Sequence, residues 1–319
     1  MSHQRPKNIN GLEMMKEIVA GMEDREVPIR VEGNLLRVAR LDAELYQFTS
    51  NPEALVERLR ASGERIDIFT FLQGLPETAP RHPYHMEWDN LAVLKVSTFE
   101  NWWNHQIRST GRNRARQAVK KGIILREVPF DEDLVRGIWG IFNESPVRQG
   151  RRFRHYGKDI ETVHRLVGTY LEYSTFIGAF RGEELIGFIK MVADQTGVQA
   201  GLMNILSKVQ YKDTAPTNAL LAQAVKSCAD RGISYLVYDN FVYGKKLTDS
   251  LINFKERNGF ERVNIPRYYV PLTPLGQVAL RMGFQHRLVE RFPEPIARRL
   301  RELRRQWHRR GIPSADQAF

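Results

Sequence analysis

Thr175-Phe-Ile-Gly-Ala-Phe180 and Leu185-Ile-Gly-Phe-Ile-Lys-Met-Val-Ala193 are apolar, β-branched and aromatic-rich runs on either side of Arg181-Gly-Glu-Glu184, a short turn holding Gly182. They predict an antiparallel hairpin. A second turn, Asp194-Gln-Thr-Gly197, leads into a third strand over 198–207. A helix follows from Thr214 to Ala229, with Thr214 as N-cap, Pro216 in its first turn and Leu220, Leu221, Ala224 and Val225 on one face. Gly232 ends it. Ile233-Ser-Tyr-Leu-Val-Tyr-Asp239 reads as a buried strand, and a strand reached through a helix is most simply parallel to its predecessor. Thr248 or Asp249 is placed to cap a last short helix that stops at Gly259.

Upstream, strand patterns lie at 35–39, 66–71 and 91–96, and helical ones at 52–61, 98–122, 131–144 and 159–172. A short helix is expected over Leu12 to Met22. The expected organisation is a loosely ordered start (1–30), an α/β half-domain (31–158), a second α/β core (159–272) and a basic helical extension (273–319). In that extension Ile296, Leu300, Leu303 and Trp307 share one helix face among arginines. Packing on the core, or peripheral contact with an anionic membrane, would each use that stripe.

The chain has 319 residues, 42% of them hydrophobic, enough for real cores and too many for a disordered chain. Met1 to Asn10 has no apolar segment, and no later run approaches the roughly 20 apolar residues that span a bilayer. A cytoplasmic protein is expected. The single cysteine, Cys228, reads as a buried thiol in a helix, and the eight histidines show no close metal-ligand spacing, so no metal is expected. The net charge of +11 favours polyanionic partners such as CoA, nucleotide-linked sugars, tRNA or anionic lipid.

Pro216-Thr-Asn-Ala-Leu-Leu221 opening the helix, Tyr238-Asp239 ending the strand, and Phe254-Lys255 followed by Gly259-Phe260 together resemble the GNAT acyltransferases, and within them the FemAB-like group. Arg112-Asn-Arg-Ala-Arg-Gln-Ala-Val-Lys-Lys-Gly122 resembles the basic helix that precedes a strand in FemAB-like chains. The resemblance implies an α/β (α+β) GNAT fold: a mixed, mostly antiparallel sheet with splayed central parallel strands, in a diverged tandem of two GNAT-like halves. It implies a bacterial-type acyltransferase that moves an acyl group, acetyl first of all, from acyl-CoA (acetyl-CoA) to an amine or hydroxyl of a small or sugar-linked acceptor. Two alternatives stay open. One is an aminoacyl-tRNA-dependent transferase acting on a cell-wall precursor. The other is a non-catalytic GNAT-like module that binds nucleic acid or anionic membrane.

The expected donor site comprises Ile205, Leu206 and Ser207 on the splayed strand and Thr214, Ala215, Thr217 and Asn218 at the helix start, where amides and the helix dipole attract an anion. The family's CoA-binding members carry Gln/Arg-x-x-Gly-x-Gly/Ala there. This chain has Gln210-Tyr-Lys-Asp-Thr-Ala215, without the first glycine and with Asp213 in its place. Asp239 stands at a strand end, where open α/β sheets place ligands, and is the candidate base. Tyr243 is the candidate proton donor to the leaving thiolate or hydrogen-bond partner of the acceptor, and the match of Lys255 to the family's Phe-Lys motif implies that it stabilises the developing oxyanion or a substrate phosphate. For the acceptor, the candidates are Arg112 and Arg116 from the stripe Arg108, Arg112, Arg116, Arg152 and Tyr156 from the basic loop 146–157, and Arg267 and Tyr268 in the last strand. The plainer readings are a turn-forming Asp-Asn pair, packing tyrosines and solvated basic faces.

Overall fold

The computed structural model describes residues 16–22, 25–44, 48–49, 51–148, 150–242 and 250–285. In chain order the elements are β1 (Lys16–Met22), β2 (Arg25–Glu32), β3 (Val38–Leu41), α1 (Pro52–Ala61), β4 (Ile68–Leu72), β5 (His85–Lys95) and α2 (Phe99–Asn101), which runs into a π-turn (Trp102–Gln106). Then come α3 (Ser109–Lys120), β6 (Ile124–Val128), α4 (Glu132–Phe142), the small hairpin β7 (Val147–Arg148) and β8 (Arg151–Arg152), and α5 (Ile160–Val167). The last stretch holds β9 (Ser174–Arg181), β10 (Glu184–Ala193), β11 (Gln199–Ser207), α6 (Pro216–Asp230), β12 (Tyr235–Val237), α7 (Ser250–Arg257), β13 (Glu261–Pro271) and α8 (Pro274–Arg281). No helix of the described residues is long and apolar enough to cross a membrane.

The chain forms two compact units. Among the described residues the first lies within 16–89 and 264–285 and the second within 90–263, so β5 and β13 contribute to both. In the first unit β1, β2 and β3 form an antiparallel meander, β3 pairs parallel with β4 after the α1 crossover, and β13 returns antiparallel to β4. Leu55, Val56 and Leu59 of α1 pack on Ile29, Leu41, Phe69, Phe71 and Tyr268 to make its core. Asn51 caps α1 by accepting from the Ala54 amide at 3.0 Å, and Pro52 fills the first turn, where no N–H is needed.

In the second unit the strands run β5-β12-β11-β10-β9-β6. Among the described residues of this unit only the β11–β12 pair is parallel. The hairpin of β9 and β10 turns at Gly182, whose φ of 59° is left-handed. Helices cover both faces, which is why these strands read as nearly continuous apolar runs. Leu220, Leu221, Ala224 and Val225 of α6 share a core with Ile177, Ile186, Ile189 and Met191. Leu134, Ile138 and Phe142 of α4 and Val163 and Val167 of α5 pack on Phe176, Leu185 and Phe188, the neighbours that point the other way. Cys228 is buried, and burial pushes its thiol up to about 12, so it is inert.

Several expected boundaries are corrected. The helix expected over 12–22 is the strand β1 where it is described, because Ile18 and Val19 pair with β2 in a hairpin. The helix expected over 98–122 is broken: Ile107 and Arg108 are extended, and Arg108 donates its N–H to the Arg257 carbonyl (2.9 Å) instead of continuing a helix. Arg108 therefore leaves the three-arginine stripe and pairs with Glu256 at 3.6 Å. Thr214 does not cap α6, since its hydroxyl donates to the Tyr211 carbonyl (2.7 Å) and Ala215 takes the cap position. Thr248, Asp249 and the stripe over 296–307 lie outside the described residues.

Candidate functional site

The strands β11 and β12 are joined only where Gln199–Gly201 face Tyr235–Val237. Past Gly201, among the described residues, β11 is paired with β10 alone as far as Ser207. The chain leaving β12 stays with β5: the Tyr238 N–H donates to the Ala92 carbonyl and the Ala92 N–H to the Asp239 carbonyl, both at 2.8 Å. Part of the cause is a bulge, because the β10–β11 register shifts between Lys190 and Met191 and leaves Met203 unpaired, which bends the strand. The other part is Asp239, whose φ of 52° turns the chain away. Two parallel strands thus diverge, and burial falls from Gln199–Leu202, which are buried, to Met203–Ser207, which are half-buried. An open strand edge of this kind accepts an extended ligand by backbone hydrogen bonds. Ile205, Leu206 and Ser207 lie on it.

The turn after β11 is tied down by a half-buried charge network. The Glu144 carboxylate accepts the N–H groups of Val209 (2.6 Å) and Gln210 (3.0 Å). Arg148 bonds that carboxylate at 3.2 Å and also donates to the carbonyls of Ser207 (2.7 Å) and Ile141 (2.6 Å). Burial pulls the Arg148 pKa down, partly offset by Glu144. Ala215 then enters the left-handed region at φ 54°, a strained setting for a residue with a Cβ, and α6 begins without a side-chain cap. Thr217 and Ser207 share a hydroxyl hydrogen bond (3.1 Å), which ties the first turn of α6 to the end of the splayed strand.

Beside that first turn lies a cleft of about 330 Å³ between α3, α6 and α7, lined by Arg114, Asn218, Phe254, Arg257 and Asn258. Asn258 is fully buried; its carbonyl accepts the Trp102 indole N–H (2.9 Å), and its side-chain oxygen faces the Asn218 amide at 3.5 Å. The close approach of α3 requires Gly111, where a Cβ would stand 2.8 Å from the Arg257 carbonyl oxygen. Two arginines and the positive end of a 15-residue helix make this cleft a setting for a phosphate-bearing group.

Asp239 and Lys255 are brought together at the exit of β12. Lys255 is fully buried; its ammonium donates to the Asn240 carbonyl and sits 4.8 Å from the centre of the Tyr238 ring. Burial lowers its pKa to about 8, and the Asp239 charge holds it from falling further. The Asp239 carboxylate accepts the Asn240 N–H at 2.8 Å. Tyr243 lies outside the described residues.

The other candidates stand in separate settings. Arg116 lies over the Trp103 ring at 5.5 Å, and Arg112 donates to the Ile107 carbonyl at 3.4 Å. Arg152 and Tyr156 are exposed. Arg267 and Tyr268 belong to the first unit: Arg267 is held by Glu44 (2.8 and 3.1 Å) and Asp89 (2.9 Å), and Tyr268 donates to Gln73 at 2.9 Å. Sequence reasoning did not single out Glu144, Arg148, Arg114 or Arg257. The i,i+4 spacing of Glu144 and Arg148 at a helix end was the available signal.

No protein-family model and no curated protein sequence matches this chain. Solved structures do. FemX superposes with a TM-score of 0.54 at 11% identity, over 83% of this chain and 90% of that one. The C-terminal DUF2156 domain of a protein assigned as a lysylphosphatidylglycerol synthetase from Agrobacterium fabrum gives 0.53 at 13%, over 83% and 87%. L-PGS from Bacillus licheniformis gives 0.53 at 12%, over 84% and 88%. At these identities the likeness establishes the fold, a mixed α/β GNAT-type architecture of the form seen in FemX and the L-PGS domains.

Proposed function

We propose that the protein is an acyltransferase that binds its acyl carrier along the open edge of β11 and transfers the acyl group by direct attack of an amine or hydroxyl. The observation that carries this reading is the divergence of β11 from β12, with Asp239 and the buried Lys255 at its mouth. The acceptor nucleophile adds to the acyl carbonyl, the carbonyl electron pair moves to oxygen, and the nucleophile's proton passes to Asp239. Collapse of the tetrahedral species breaks the bond to the carrier, which leaves with the electron pair as a thiolate or ribose alkoxide and takes up the proton held by Asp239. Lys255 acts through the turn that it anchors, presenting positive charge toward the developing oxyanion. No covalent enzyme intermediate is needed.

Acyl-CoA is the first donor to consider, because the basic cleft at the start of α6 suits its phosphates. A specific observation favours the alternative, an aminoacyl-tRNA: the turn that would meet a diphosphate already holds the Glu144 carboxylate on two of its amides. Two structures with this fold are named for lysylphosphatidylglycerol synthesis, the making of an aminoacylated lipid, which fits that donor class. The acceptor we propose is a small or sugar-linked amine or hydroxyl. The test is thermal stabilisation by CoA, acetyl-CoA and aminoacyl-tRNA at fixed salt, followed by product assays with whichever donor binds. Stabilisation by one donor with turnover is expected. Salt-sensitive binding of RNA or lipid vesicles with no turnover of any donor would overturn catalysis in favour of a binding module.

A further inference from the structure

A groove of about 530 Å³ runs between α3 and α6, within the roughly 300–1,000 Å³ typical of small-molecule sites. It differs in character from the polar cleft at the start of α6. Its width comes from alanines, Ala115 on α3 and Ala219 and Ala222 on α6, where larger residues would close the gap between the helices. One wall is aromatic: Phe99 and Trp103 stack at 5.6 Å with 25° between their planes. Val119 also lines it and is 62% exposed, an apolar side chain left to water. The rim is cationic, carrying Arg116, Lys120 and Lys226. Lys226 is paired with Asp230 at 2.7 Å, Arg116 lies over Trp103, and among the described residues Lys120 has no ion-pair partner. An apolar trough with a positive rim is complementary to a hydrocarbon chain bearing a negative head.

We propose that this groove is a binding site for a single-chain anionic amphiphile, a long-chain fatty acid, with its tail along Trp103 and Val119 and its carboxylate at Lys120 and Lys226. The arginine-rich stretch 296–307 of this chain has the same sign of charge as the rim, so charge complementarity disfavours it as the occupant. The site is independent of the acyl-transfer reading and is tested by binding alone.

The test is titration of the full-length protein with the fluorescent fatty acid cis-parinaric acid below its micelle concentration, then displacement by saturated fatty acids of increasing length and by the matching alcohols. Saturable one-to-one binding is expected. Affinity should rise about three- to fourfold per added methylene until the groove is full. The neutral alcohols should bind roughly tenfold more weakly. Ala222→Trp fills the trough and should abolish binding. The pair Lys120→Gln with Lys226→Gln, both exposed, should weaken the fatty acid roughly tenfold and leave the alcohol unchanged. If Ala222→Trp fails to fold, the lysine pair decides. Absence of saturable binding by the wild type overturns the proposal, whether the groove stays empty or is covered by residues 286–319. So does fatty-acid affinity indifferent to the lysine pair.

Discussion

Glu144 Oε2 accepts the backbone N–H of Val209 at 2.6 Å, so a carboxylate from the end of α4 already fills the turn that leaves the splayed strand β11. An anion in that position repels a second one, and the surroundings, with Arg148 half-buried behind it, screen the repulsion less than water would. Glu144→Gln keeps an acceptor for one amide and removes the charge. CoA affinity measured by calorimetry should rise about tenfold in this variant. Tight CoA binding by the wild type, or no gain in the variant, would remove Glu144 as a determinant of donor choice.

Lys255 ties stability and activity to pH in opposite directions. Its folded pKa of about 8 lies below the ordinary 10.5, so between these values the unfolded chain holds more protons and stability rises with pH. If its charge assists transfer, activity falls through the same range. Lys255→Met should lose the slope in stability between pH 8 and 9.5 relative to wild type. It should also cost about 1–3 kcal/mol at neutral pH, because the Asn240 carbonyl loses a buried donor. Denaturant midpoints against pH, beside turnover of an identified donor, check both.

Arg267 holds two carboxylates of the first unit together, and its pKa is raised because Glu44 and Asp89 outweigh the effect of burial. Arg267→Met removes the guanidinium that bridges those like charges. A loss of about 3–5 kcal/mol in urea unfolding at pH 7 is expected, shrinking as acid protonates the carboxylates. An Arg267→Met protein as stable as wild type would show that the cluster is solvated instead.

His155 stacks on Phe142 at 4.6 Å, and burial, with Arg154 and Lys158 nearby, lowers its pKa to about 4. The unfolded histidine takes up its proton near 6.5, so wild-type stability should decline as pH falls from 6.5 to 4. His155→Gln should flatten that part of the profile. Unfolding midpoints at pH 4.5 and 7 in both proteins decide it.

The elements legible in the sequence were those built from local signals. The β9–β10 hairpin was readable because continuous apolar runs flank a turn that needs Gly182, and α1 and α4 because their residues carry a helical pattern. The parallel pairing of β11 with β12 followed from the helix between them. Where local and long-range hydrogen bonds compete, the pattern failed: Arg108 bonds the Arg257 carbonyl and breaks what looked like one helix.

Apolar periodicity and turn chemistry act over a few residues, and they determined the order of strands and helices from β9 to α7 and the resemblance to an acyl-transfer fold. Only the tertiary structure decided that Glu144 reaches a turn 65 residues later, that Lys255 lies buried under Asn240, and that β13 pairs with β4. Burial and charge at these sites depend on neighbours distant in sequence, and that packing sets the pKa of Lys255 and the anion already seated beside β11.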